Sequence, residues 1–103
     1  MKEQILRKLF LGFVQLHILY HAEKEPIFGR AMIEELKRHG YEISAGTLYP
    51  LLHNLEASGL LAKREEIVEG KVRKYYTITE EGKVVLDEAR EKALELVREI
   101  AEK

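Results

Sequence analysis

Residues 44–55 read Ser-Ala-Gly-Thr-Leu-Tyr-Pro-Leu-Leu-His-Asn-Leu. Leu48, Leu51, Leu52 and Leu55 recur at helical spacing, yet Gly46 and Pro50 stand among them. In a helix interior glycine costs about 1 kcal/mol and proline about 3 kcal/mol relative to alanine. The stretch also carries no charge, in a chain of which 34% of residues are charged. At about 100° per residue the leucines gather on one face, and Gly46, Tyr49, Pro50, His53, Asn54 and Ala57 lie opposite. That outer face has no carboxylate, and its residues are small or can donate hydrogen bonds. A surface that approaches a polyanion closely has those properties. The plainer alternative is a first turn of no special purpose, with Tyr49 packed on the segment that follows. Gly46 and Pro50 fall in the first two turns, where few helical N–H bonds exist to be lost.

Working outward, Gly29-Arg-Ala-Met-Ile-Glu-Glu-Leu-Lys-Arg-His-Gly40 reads as a short helix. Lys37, Arg38 and His39 suit its C-terminal dipole, and Gly40 is placed as a left-handed cap. Only Tyr41, Glu42 and Ile43 separate it from Ser44, an N-cap for the helix over 44–58, which Gly59 closes. Helix, short turn, helix is the helix-turn-helix arrangement, whose second helix enters a DNA major groove. Upstream, residues 3–22 form a helix with Ile5, Leu6, Leu9, Phe10, Phe13, Leu16 and Tyr20 as a broad apolar face, ended by Pro26. Downstream, residues 60–68 and 71–79 read as two strands joined at Glu69-Gly70. Thr79 then caps a helix that runs to the C-terminus with Leu86, Ala89, Ala93, Leu96, Val97 and Ile100 as its stripe.

The expected fold class is mostly α with a small β-hairpin: a winged helix-turn-helix with N- and C-terminal dimerisation helices. One domain is expected to span residues 1–103, with 80–103 as the C-terminal dimerisation helix. The apolar face of the first helix exceeds what so small a domain covers alone, so part of it is expected to meet a second copy.

Composition narrows the function. With 103 residues and 46% apolar content, the chain can bury a modest core. The absence of cysteine rules out disulfides and thiolate zinc sites, and it suits a reducing, cytoplasmic setting. The N-terminal segment is interrupted by Gln15 and His17 and is too short and polar to span a bilayer. The acidic polar face of the last helix argues against a membrane-surface role. Residues 80–103 carry eight acidic and five basic side chains, so an acidic appendage follows a mildly basic body. No HExxH, phosphate loop or GxSxG elbow occurs, and no enzyme or cofactor is expected. His17 and His21 stand at i, i+4, a spacing that can share a metal ion, but no third ligand is apparent.

The candidate DNA-binding residues on the helix are Ser44, Gly46, Thr47, Tyr49, Pro50, His53 and Asn54. On the hairpin they are Lys63, Arg64, Lys71, Arg73 and Lys74, which outnumber Glu65, Glu66 and Glu69. The candidate dimerisation residues are Leu6, Phe10, Phe13, Leu86, Ala89, Ala93, Leu96, Val97 and Ile100. Phe10, Phe13, Val14 and Val97 are the candidates for a cavity that takes a small aromatic or hydrophobic effector.

Three motifs carry a family likeness: Gly46-Thr47-Leu48-Tyr49-Pro50, then Leu55-Glu56-Ala57-Ser58-Gly59-Leu60, then Arg73-Lys74-Tyr75-Tyr76-Thr77-Ile78-Thr79-Glu80-Glu81-Gly82. In this order and spacing the chain resembles the PadR family of winged-helix transcriptional regulators, over roughly residues 10–90. The resemblance implies a homodimeric repressor of a pseudo-palindromic operator in double-stranded DNA, paired through its terminal helices and often released by small aromatic or hydrophobic compounds. Phe28-Gly29-Arg30-Ala31-Met32 and Asn54 depart from the residues common in the family. Two other readings of the same fold stay open, a protein-interaction module without DNA and a metal-responsive regulator.

Overall fold

The computed structural model describes residues 1–102; Lys103, the last residue of the expected C-terminal helix, lies outside them. The elements follow as α1 (Lys2–Lys24), α2 (Gly29–Arg38), α3 (Ala45–Ala57), β1 (Leu61–Val68), β2 (Lys71–Ile78) and α4 (Glu80–Ala101). This is a winged helix-turn-helix, mostly helical, with one antiparallel two-stranded wing. Each boundary has a local cause. After α1, Pro26 stops the helix, and Ile27 pairs with Tyr76 through N–H···O bonds of 2.9 and 2.8 Å in the two directions. This bridge ties the loop to the wing, although nothing in the period of the sequence announces it. Gly40, at φ +89°, gives α2 its left-handed exit, and Tyr41 N–H returns to Leu36 O at 2.9 Å.

In the wing, Leu61 faces Ile78 and Val68 faces Lys71. Glu69 and Gly70 both hold positive φ, 52° and 79°, the two-residue turn whose twist matches that of the strands. Thr79 then starts α4: its Oγ1 accepts from Gly82 N–H at 3.0 Å and donates to the Gly59 carbonyl at 2.6 Å. One hydroxyl thus joins the end of the α3 cap to the start of α4. Gly82 is buried there because a Cβ would lie 2.7 Å from Ile78 Cγ1 and closer still to the Leu60 carbonyl.

The core is a single cluster. Val14, Ile18, Leu19 and Ala22 of α1 meet Met32 and Leu36 of α2, Leu48, Leu52 and Leu55 of α3, and Leu61, Tyr76 and Leu86. Two expectations change here. The core side of α1 is Val14-Ile18-Ala22 with Leu19, whereas Ile5, Leu6, Leu9, Phe10, Phe13 and Tyr20 stay exposed. The helix is apolar on more than one side, and periodicity cannot say which side a neighbour takes. Leu86, expected to pair chains, is 5% exposed within its own chain and belongs to that core.

Every residue from Glu91 to Glu102 is exposed. The Cα radius of gyration, 14.8 Å, exceeds the ~13 Å expected for a compact chain of this length. The excess comes from the overhanging half of α4.

Where α1 crosses the end of α2, His17 stacks on His39 with ring centroids 4.5 Å apart, and Tyr41 meets His17 edge-on at 5.4 Å. Burial, and after it His39 and His21, pushes the His17 pKa below its usual value, so the ring is uncharged at neutral pH. The sequence offers no visible third group beside His17 and His21, and the fold supplies one in His39.

Candidate nucleic-acid interface

Three leucines hold α3 in place. Leu48 and Leu52 are fully buried and Leu55 is 6% exposed, so the opposite face must turn to solvent. There Gly46, Tyr49, Pro50, His53 and Asn54 are exposed, with Ser44 at the N-cap and Thr47 half-buried. The Ser44 carbonyl accepts the Thr47 and Leu48 N–H groups at 3.1 and 2.9 Å. Its hydroxyl does not cap the helix; it donates instead to Thr47 Oγ1 at 3.3 Å. The first-turn N–H groups are thereby left without a side-chain cap at the positive end of the helix, which suits an anion.

Tyr49 is half-exposed because one side of its ring lies against Gly29. A Cβ at Gly29 would come within 2.7 Å of the Tyr49 hydroxyl and ring. Glycine at the start of α2 therefore lets the aromatic side chain cross between the two helices of the motif. The ring rests on the start of α2 and borders the same concave surface as Tyr76 of the wing.

The start of α2, the outer face of α3 and the wing enclose a concave surface of about 640 Å³. Tyr49 and His53 line it from α3, and Lys63, Lys71, Arg73 and Lys74 from the wing, with Arg30 at the start of α2. Glu56 and Glu69 are the carboxylates that share it, against five cations. Tyr76 closes its floor. Burial, and after it the Glu56 carboxylate, pushes the Tyr76 phenol above its usual range, so it stays protonated as a neutral hydrogen-bonding group.

Strand register decides how the wing cations point. Opposed residues share a face, so Lys63 and Lys74 lie with Glu65 and Tyr76, while Arg64, Lys71 and Arg73 lie with Glu66 and Tyr75. The Arg73 guanidinium sits 4.2 Å over the Phe28 ring, which orients it without neutralising it. Arg64 is engaged differently. Its guanidinium pairs with Glu66 at 2.9 Å and lies 5.0 Å over Tyr75, and it does not line the concave surface.

Arg30 was not legible as a site residue, although a signal existed. It stands in the first turn of α2, which has no acidic residue, where a cation opposes the helix dipole. A cation placed against the local field points to an anion elsewhere.

The sequence profile of the Transcriptional regulator PadR-like family matches residues 18–88. The chain belongs to this family. It is 44% identical over 95 residues to a protein named Transcriptional regulator Rv3488 from Mycobacterium tuberculosis, covering 92% of this chain and 89% of that one. Among solved structures, a PadR family transcriptional regulator from Eggerthella lenta superposes with a TM-score of 0.84 at 35% identity, over 96% of this chain and 88% of its own. A PadR-like transcription factor from Bacteroides fragilis gives 0.82 at 30% identity, over 95% and 96%. These PadR relatives are transcriptional regulators and not enzymes, and no described helix of this chain is long and apolar enough to cross a membrane.

The remaining sequence-derived residues separate by position in this PadR fold. Leu6, Phe10 and Phe13 of α1, and Ala93, Leu96, Val97 and Ile100 of α4, are exposed, with Ala89 half-buried. The four residues expected to line one effector cavity are not brought together within the chain. Phe10 and Val14 border a groove of about 520 Å³ between α1 and residues 40–47, and Phe13 borders a separate concavity with Leu86. Val97 is exposed on the overhang of α4 and borders neither.

Proposed function

We propose that this chain is a sequence-specific repressor that binds a pseudo-palindromic operator as a homodimer, and that residues 1–103 act as one winged-helix unit in the cytoplasm. The observation that carries the reading is the concave surface in which Tyr49 and His53 of α3 meet Arg30, Lys63, Lys71, Arg73 and Lys74. Five cations against two carboxylates suit a phosphate backbone, and the carboxylate-free tip of α3 suits base edges. Ser44, Gly46, Thr47, Pro50 and Asn54 complete the approach face. Arg64 contributes charge at longer range, and each α3 enters a major groove at half-sites about 10 bp apart or a multiple of that.

The uncovered apolar faces of α1 and α4 support the dimeric reading. The exposed Leu6, Phe10 and Phe13 on one helix and Leu94, Leu96, Val97 and Ile100 on the other form apolar faces that one chain leaves uncovered. The groove bordered by Phe10 and Val14 also touches Ser44 and Thr47, so a hydrophobic effector held there would press on the start of the recognition helix.

Selection of bound duplexes from a random pool, followed by footprinting, tests the function. A protected two-fold site is the expected result. Anisotropy titration of random duplex at two salt concentrations separates this reading from a protein-interaction module: affinity that does not fall with salt excludes DNA as the partner.

A further inference from the structure

The end of α2 meets α1 at a group of side chains that the DNA-binding surface does not use. His17 and His21 lie one turn apart on α1, and His39 is the C-cap residue of α2. One nitrogen from each of the three lies within 4.8 Å of the others. Glu35, one turn before His39, sends Oε2 to 3.1 Å from His39 Nε2 and 3.6 Å from His21 Nε2. His21 Nε2 is buried with no hydrogen-bond partner among the described residues. A buried ring nitrogen without a partner carries a desolvation penalty that a hydrogen bond would normally offset. Three imidazoles and a carboxylate around it form a donor set rather than a random surface.

We propose that His17, His21, His39 and Glu35 form a site for a divalent transition-metal ion of the zinc class, which fastens α1 to the end of the first helix of the helix-turn-helix. Nitrogen-rich donors of this kind select zinc, cobalt or nickel over calcium and magnesium. Zinc–nitrogen bonds of about 2.0–2.1 Å place tetrahedral ligands about 3.4 Å apart. Closing from 4.8 Å requires shifts of order 1 Å, which the exposed His39 at the helix end can make. The site opens onto the concavity bordered by Phe13, Tyr20 and Leu86, which gives an ion a path from solvent.

The location gives the ion a consequence. His39 is followed by the left-handed Gly40 and by Tyr41, which packs on His17, and Ser44 starts the recognition helix five residues beyond His39. A ligand bond at His39 therefore fixes the turn from which α3 is hung. The site itself stands independently of DNA binding; its effect on operator affinity rests on the function proposed above.

Isothermal titration of the chelator-treated full chain with zinc chloride tests the site. One ion per chain is expected, bound at least tenfold more weakly by His17→Gln and by His39→Gln. The His53→Gln variant, altered on α3 away from the cluster, should bind as the unaltered protein does. Circular dichroism melts accompany each variant, so that loss of metal and loss of fold are told apart. No zinc binding, or binding unchanged in folded His39→Gln, overturns the site; an α1 pair alone would not notice His39. Anisotropy on the selected duplex with and without zinc reads the coupling. An unchanged affinity at saturating zinc overturns the coupling, whereas absence of duplex binding in both conditions overturns the DNA function and leaves the calorimetric result standing.

Discussion

Replacing Arg73 and Lys74 together by alanine should flatten the salt dependence of DNA binding. Both side chains border the concave surface beside α3, and neither is committed to an ion pair within 4 Å among the described residues. Each phosphate neutralised contributes about 0.9 to the slope of log K against log salt. Two such contacts per chain become four in the proposed homodimer, so the slope should shrink by up to about 3.6. Between about 50 and 200 mM salt, that difference narrows the affinity gap between the two proteins by up to roughly 150-fold. Glu65, which faces Lys74 across the strands, loses that cation in the variant and lowers its affinity further at low salt, whereas Glu66 keeps its pair with Arg64. The cost to folding is small: the Arg73–Phe28 contact at 4.2 Å contributes about 0.5–1 kcal/mol. The assay is fluorescence anisotropy on operator and random duplexes at several salt concentrations, with Arg64→Ala as the comparison. Because Arg64 is held by Glu66 and Tyr75 outside the concavity, its removal should change the slope by less than half as much. An unchanged slope in the double variant, or an equal loss in Arg64→Ala, refutes the wing geometry argued above.

Gly46→Ala should separate stability from binding: the added Cβ meets only Ser44 Oγ at 3.7 Å, so the helix gains up to about 1 kcal/mol in urea unfolding while duplex affinity falls. Thr79→Ala removes both the cap on Gly82 and the bond to Gly59, and a loss of about 1–2 kcal/mol is expected in the same unfolding assay. Val97→Asp with Ile100→Asp places charges on side chains already 55% and 63% exposed in the chain. Sedimentation should then show a monomer whose circular dichroism is unchanged, and a persistent dimer would move the pairing surface off α4.

The local grammar of the chain was readable because each element is ended or started by its own residues. Pro26 stops α1, Gly40 turns α2, Glu69-Gly70 closes the wing and Thr79 opens α4, each through a backbone preference that acts within a few residues. The leucine spacing of residues 48–55 likewise determined which face of α3 would be buried, because only one face is apolar. Order, type and approximate bounds of the elements, and with them the winged-helix reading, follow from those short-range terms.

Tertiary structure decided what depends on how faces meet. On α1, apolar side chains occupy several sides, and only packing into the cluster with Met32, Leu36, Tyr76 and Leu86 chose Val14, Ile18 and Ala22 for the core. Arg30, distant in sequence from the wing, joins its cations because Gly29 lets α2 start beneath Tyr49. Arg64 shares a face of the wing with Lys71 and Arg73, and its contacts to Glu66 and Tyr75 keep it off the concave surface that those two line, a distinction that a count of basic residues cannot contain. His39 stands eighteen residues from His21 in the chain and comes beside it only when α2 folds back across α1. Sequence period reports which side of a helix is apolar; it carries no information about the distance between two helices, and the side-chain groupings of this molecule depend on that distance.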